Sequence, residues 1–193
     1  MSVLIKEKII PKVLIYEQLD GLNIYYSGYE SVLDNLQNAE SVMGSSGLQS
    51  FVIEIVKDYL KLSLGKEYRF LSNEVGLHLA NRSNLSADIA IFSKKNLPVK
   101  NLEDKYITIA PEVVIEIDTK ADFTNINPAD YFNIKTQKLL DFGVQKVVWI
   151  YTTSEKIMVA TADSSWKTMD WNSDIEVLGE QLNVLKLLKD EGF

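Results

Sequence analysis

The segment at residues 111–120, PEVVIEIDTK, constrains the fold most, because it combines a buried strand with two carboxylates. Side chains alternate along a strand, so one side of this segment is wholly apolar. The other side begins with Val114 and ends with Glu116 and Asp118. A buried carboxylate is costly unless a cation, hydrogen bonds or a metal compensates it. Two interpretations are open at this point: the strand end emerges into water, or a positive group lies beside the two acids.

Length and composition predict one globular domain over residues 1–193. Apolar residues make up 46% and charged residues 24%, which is typical of a soluble protein. The absence of cysteine excludes disulfides and thiolate metal sites. A net charge of −7 disfavours broad binding to phosphate backbones, although a bound divalent cation would supply positive charge locally.

The N-terminal residues lack the long apolar segment and cleavage site of a signal peptide. No run of 18 or more apolar residues indicates a membrane-spanning helix. We therefore expect a cytoplasmic protein without a membrane partner.

Two amphipathic helices are predicted. The first covers residues 48–62, where apolar residues recur at helical spacing. The second covers 129–142 and has Lys135 near the middle of its apolar face. A lysine in that position either extends to solvent or meets a buried acid, and the acids at 88, 116 and 118 are the candidates.

The rest of the chain predicts a sheet. Residues 3–16 are rich in apolar residues, with a strand at 13–16 that opens an N-terminal hairpin, and Asp88 interrupts an apolar strand at 86–92. A short helix is expected at 29–38, and a terminal segment with inward leucines at 181–189. Further strands are expected at 68–71, 73–79, 147–151, 155–161 and 166–171. The predicted fold class is α+β, or mixed α/β, with a central mixed sheet flanked by helices.

Taken together, the polar residues within apolar elements are an Asp in one strand, Glu-x-Asp in a later strand and a Lys in the following helix. Carboxylates from neighbouring strands can hold Mg²⁺, with water completing its coordination. Such an ion polarises a phosphate oxygen and lowers the pKa of bound water. A nearby lysine can orient the attacking water or stabilise negative charge. This combination suits phosphodiester hydrolysis.

The sequence resembles the PD-(D/E)XK nuclease superfamily and, within it, the Uma-type restriction endonuclease family of bacteria. The resemblance covers about residues 11–160 and lies in the segments MGSSGLQSFVIEIV, NEVGLHLANRSNLSADIAIF, APEVVIEIDTKAD and KTQKLLDFGVQKVVW. It implies a restriction endonuclease-like fold, DNA as the partner and Mg²⁺ or Mn²⁺ as the cofactor. Related nucleases often dimerise to cut two strands, so a homodimer is one arrangement that it implies.

By this resemblance, Asp88 and Glu116 are catalytic residues and metal ligands. The residue before Asp88 is Ala87 where the family pattern has proline, which does no chemistry. The third position of the (D/E)XK element is also different, because Asp118 stands where the superfamily has lysine.

The resemblance implies that the catalytic lysine has moved to the helix, at Lys135. Lys120 is a second candidate, on the same face as Glu116 if the strand continues. Asp118 is then an additional catalytic residue, either as a further ligand or as an acid that pairs with Lys135.

Three functional hypotheses follow. The first is a Mg²⁺-dependent endonuclease that uses Asp88, Glu116, Asp118 and Lys135. The second is a catalytically inactive relative that binds DNA or a protein, in which the acids and Lys135 form a structural ion-pair network. The third is a metal-dependent hydrolase that acts on a small phosphorylated molecule.

Overall fold

An eight-stranded mixed sheet forms the centre of the protein in a computed structural model that describes residues 9–193. The apolar segment at 3–16 and the N-terminus are therefore described only from residue 9 onward. The strands of the central sheet are β1 (Ile15–Leu19), β2 (Leu22–Tyr25), β3 (Tyr68–Ala80), β4 (Ser83–Ser93), β5 (Val113–Ile117), β6 (Lys146–Tyr151), β7 (Lys156–Thr161) and β8 (Lys167–Asp170). Their order is β2-β1-β4-β5-β6-β7-β8, and β3 pairs with β4. A separate small sheet contains β9 (Ile175–Val177) and β10 (Glu180–Leu182).

Helices cover both faces of this sheet. They are α1 (Tyr29–Leu33), α2 (Glu40–Met43), α3 (Gly47–Leu64), α4 (Pro128–Phe142) and α5 (Val184–Asp190), with 3₁₀ turns at Lys12–Leu14 and Val99–Asn101. The α3 and α5 side chains share one core with Ile115, whereas the α4 side chains share another core with Val114. Within residues 9–193, every helix is too short or too polar to cross a bilayer.

The central strand β5 is buried along its whole length. It pairs antiparallel with β4 and parallel with β6. A parallel pair needs a long crossover, and α4 supplies it here. This connection brings one face of α4 onto the face of β5 that carries Glu116.

The two long predicted helices are confirmed, as α3 and α4. The helix expected at 29–38 is shorter than predicted: α1 ends at Leu33, and Asn35 then takes a left-handed φ of 55°. The strands expected at 68–71 and 73–79 are one strand, β3, with a bulge between Ser72 and Val75. The segment at 181–189 is the end of β10 followed by α5, which the Asn183 side chain caps.

The prediction that Asp118 continues the face of Glu116 is wrong. β5 ends at Ile117, and Asp118 adopts a left-handed φ of 55°. Alternation of side chains applies only while the backbone stays extended. For the same reason, Lys120 does not share the face of Glu116 as a strand residue.

Candidate active site

Lys135 lies at the centre of a buried polar cluster between α4 and the sheet. Its side chain is 0% exposed. Its Nζ donates a hydrogen bond to Glu17 Oε1 at 2.7 Å and lies 3.1 Å from Glu116 Oε1. The aromatic rings of Tyr16 and Trp149 complete the surroundings, with centroids 5.8 and 5.4 Å from Nζ. The lysine therefore meets buried acids and does not extend to solvent, which decides between the two alternatives left open by the sequence.

Glu17, on β1, is a member of this cluster that the sequence analysis missed. Its Oε1 accepts hydrogen bonds from Lys135 and from the Ser86 backbone N–H and hydroxyl, and its Oε2 accepts one from the Tyr131 hydroxyl at 2.7 Å. The alternation within β1 was the available signal, since Glu17 shares its buried side with Leu19. A lone acid on the apolar side of a strand requires a partner.

Asp88 lies where β4 and β5 separate. Their pairing ends at Ile89 and Ile115, so the Ile117 N–H has no backbone acceptor in β4. Asp88 Oδ2 accepts from that N–H at 2.8 Å, and Gln49 Nε2 donates to the Ile117 carbonyl at 2.7 Å. Two side chains thus replace the missing strand neighbour and fix the end of β5 beside Glu116.

Asp118 does not pair with Lys135, which was one of the two roles that the sequence left open for it. Its carboxylate accepts from the Thr152 backbone N–H at 2.8 Å and from the Thr152 hydroxyl at 2.6 Å. It therefore ties the end of β5 to the turn after β6, and the acids beside Lys135 are Glu17 and Glu116. Lys120 also lies outside this cluster, because its Nζ donates to the Met43 carbonyl at 2.9 Å and pairs with Glu74.

The electrostatics of the cluster are set by burial and by an excess of acids. Burial raises the pKa of Glu116 to about 8, although Lys135 opposes this shift. Burial also raises the pKa of Asp88, against the Ile117 N–H and the charge of Lys135. Burial alone would lower the pKa of Lys135, but Glu116 and Glu17 outweigh it, so this pKa lies well above its usual value. Lys135 therefore stays positively charged.

The carboxylate oxygens of this cluster are of the ligand type that divalent cations such as Mg²⁺ prefer. Three carboxyl groups, those of Glu17, Asp88 and Glu116, lie near one buried ammonium group, so acids outnumber cations in this cluster. Glu116 Oε1 is buried and has no partner with hydrogen-bond geometry. In the described part of the chain, no three carboxylate or imidazole groups are arranged to enclose an ion by themselves. Mg²⁺ is commonly held by one or two carboxylates together with substrate phosphates and water, and Asp88 and Glu116 can supply that pair.

One surface pocket reaches this cluster, and a second depression shares Lys120 with it. A pocket of about 170 Å³ has Asp88, Glu74 and Lys120 in its wall. An open cleft of about 640 Å³ beside it is lined by Asp118 and Lys120 among other polar residues. Asp88 is thus the member of the acid cluster that lines one of these depressions, whereas Lys135 and Glu116 line neither and are buried.

Comparison with solved structures identifies a similar fold. A crystal structure of a protein from Anabaena variabilis, described as a "putative nuclease belonging to DUF820", matches with a TM-score of 0.65 and 15% sequence identity, over 90% of this chain and 89% of that one. No protein-family model and no curated protein matches the chain. The restriction endonuclease-like fold class predicted from the sequence is confirmed.

The raised pKa of Glu116 predicts a pH dependence of stability. Its value is about 8 in the folded protein and 4.5 ordinarily, so the folded state holds this proton more tightly. Stability from this group is complete below about pH 4.5 and is lost as the pH rises through about 8. The glutamine in Glu116→Gln cannot ionise. The free energy of unfolding of this variant minus that of wild type should therefore become more positive between pH 5 and pH 9, by on the order of 1–4 kcal/mol. Urea denaturation in EDTA measures it, and a pH-independent difference would contradict the prediction.

We expect removal of the Lys135 ammonium group to cause a large loss of stability. Lys135→Met retains most of the side-chain bulk but leaves Glu17 and Glu116 buried without their cation. We expect the free energy of unfolding to fall by about 3–5 kcal/mol.

The control for this variant is Lys138→Met on the same helix, whose partner Asp20 is 69% exposed. A pair of that kind contributes about 0–1 kcal/mol. The double variant Glu17→Gln/Lys135→Met should lose less than the sum of the single losses. Equal losses for Lys135→Met and Lys138→Met would show that the buried pair is not important for stability.

Proposed function

We propose that this protein is a divalent-metal-dependent nuclease that hydrolyses DNA phosphodiester bonds, as a distant relative of the Uma-type family within the PD-(D/E)XK superfamily. The observation that carries this proposal is the arrangement at the end of β5. Asp88 from β4, Glu116 from β5 and Lys135 from α4 converge there, on a fold shared with the Anabaena variabilis protein. That protein's description as a nuclease supports the same class of activity here.

The chain's own residues would divide the work as follows. Asp88 and Glu116 would hold Mg²⁺ or Mn²⁺, and Glu116 would release its proton when the ion binds. Once bound, the ion would supply Lewis-acid stabilisation of a phosphate oxygen and a more acidic water. Lys135, kept cationic by Glu17, would stabilise the negative charge that develops on the phosphate. Glu17 holds the ammonium group in place without touching the substrate.

One observation favours a second candidate function. Lys135 and Glu116 are 0% and 1% exposed and are paired with each other. A closed ion-pair network of this kind can be purely structural. The second candidate is therefore a catalytically inactive relative that binds DNA or a protein. The length of the substrate separates the proposed nuclease from a hydrolase that acts on small phosphorylated molecules.

Cleavage of DNA tests the proposal directly. Supercoiled and single-stranded DNA should be cut in the presence of Mg²⁺ or Mn²⁺ but not in EDTA. Glu116→Gln and Glu116→Ala should each reduce the rate by about 10²-fold or more, because a group that acts on the transition state is lost. If the ion-pair network is only structural, no cleavage should appear with either metal or EDTA. Full activity in both Glu116 variants would show that Glu116 is not a catalytic residue.

We expect substitution of the two candidate lysines, Lys135 and Lys120, to change kcat by different amounts. Lys135→Met should lower kcat strongly, because its ammonium group is the one beside Glu116. Lys120→Ala should have a smaller effect on kcat, because its Nζ pairs with Glu74 outside the cluster. Single-turnover rates, with circular dichroism to verify folding, measure this ranking. The reverse order would move the catalytic lysine to the loop after β5.

A further inference from the structure

Lys120 has a fixed place at the mouth of the site. Its backbone carbonyl accepts from the Ser27 N–H at 2.7 Å, which ties the loop after β5 to the N-terminal hairpin. Its Nζ donates to the Met43 carbonyl at 2.9 Å and pairs with the Glu74 carboxylate. Lys120 lines both the open cleft and the smaller pocket that contains Asp88. It is therefore a cation between the surface and the acid cluster.

Glu74 reaches Lys120 because β3 is distorted. The bulge between Ser72 and Val75 contains Asn73 at φ 77° and Glu74 at φ 53°. Two consecutive non-glycine residues in the left-handed region are unfavourable, and such conformations concentrate at functional sites. Burial and the neighbouring Glu74 carboxylate raise the pKa of the Tyr26 hydroxyl to about 12, so Tyr26 also lies close to Glu74.

The charge of the two depressions makes Lys120 distinctive. Among the described residues that line them, Lys120 is the one basic side chain. Four acids line the same walls: Glu54, Glu74, Asp88 and Asp118. A phosphodiester that approaches Asp88 therefore meets one ammonium group, which a neighbouring carboxylate already neutralises.

We propose that Lys120 binds a backbone phosphate of the nucleic-acid strand, and that the Glu74 carboxylate occupies this position until the strand arrives. Carboxylate and phosphate are both anionic acceptors for an ammonium group, and lysine binds phosphate as a point charge. Exchange of Glu74 for phosphate leaves Lys120 paired throughout. This proposal rests on the nuclease function above and adds a substrate-binding residue outside the catalytic cluster.

The alternative is a salt bridge that only ties β3 to the loop after β5. Such a bridge contributes to stability and has no effect on affinity for an oligonucleotide. In the proposed arrangement, Glu74 competes with the phosphate. Removal of the Glu74 charge should therefore tighten binding, whereas removal of Lys120 should weaken it.

The test is binding of a short fluorescein-labelled single-stranded DNA, measured by anisotropy with Ca²⁺ in place of Mg²⁺. We expect Lys120→Ala to raise Kd by about 5- to 10-fold and to reduce the salt dependence by about one phosphate contact. Glu74→Gln should lower Kd several-fold, and Lys120→Arg should bind like wild type. Inorganic phosphate should compete with the DNA in wild type and less so in Lys120→Ala.

The matched control is Glu176→Gln, which removes one negative charge and breaks the Lys146–Glu176 bridge, a pair with a similarly part-buried lysine. Its Kd should equal that of wild type. Equal changes in Kd for Glu74→Gln and Glu176→Gln would show that only net charge matters and would overturn the proposal. A wild-type Kd for Lys120→Ala would also overturn it. So would the absence of DNA binding in both wild type and Glu74→Gln. Urea denaturation verifies that each variant is folded.

The outcome is independent of the test of cleavage. Metal-dependent cleavage with no effect of Lys120 or Glu74 on Kd would leave the nuclease function standing and reject the phosphate-binding role. The expected pattern of Kd values without any cleavage would establish the phosphate site and reject the nuclease activity.

Discussion

The buried interaction of Lys135 with the carboxylates of Glu17 and Glu116 is the constraint on which the rest of the site depends. It joins three elements that are distant in sequence, because Glu17 is on β1, Glu116 on β5 and Lys135 on α4. Removal of one partner would leave an uncompensated charge in an apolar core. These contacts of Lys135 thus fix how α4 lies on the sheet. They also place its ammonium group beside the acids at the end of β5.

The end of β5 is built around a break in the sheet. β4 and β5 pair over three residues and then separate, so the backbone groups of Ile117 need other partners. The side chains of Asp88 on β4 and Gln49 on α3 supply them. A backbone group that is buried without a partner would be costly, so the polar side chains are required by the fold itself. The position of Asp88 beside Glu116 follows from this separation of the strands.

Much of the fold follows from local patterns in the sequence. The helical spacing of apolar residues predicted α3 and α4 within two residues at each end. The apolar residues of 111–118 predicted a buried strand with one wholly apolar face, and β5 is buried along its whole length. These signals are strong because the helices and the strand are amphipathic or apolar over their whole length. Errors occurred where single residues adopt left-handed conformations. At Asn35 and Asp118, no hydrophobic pattern reports the backbone angle.

The sequence by itself determined that Asp88, Glu116 and Lys135 interrupt apolar surfaces and therefore need partners, because burial of charge is unfavourable wherever it occurs. Only the tertiary structure decided which partners they have. Glu17 meets Lys135 across 118 positions of sequence, and Asp118 turns away to Thr152. Such pairings depend on the order of strands in the sheet and on where each strand ends, and these properties come from packing of the whole chain.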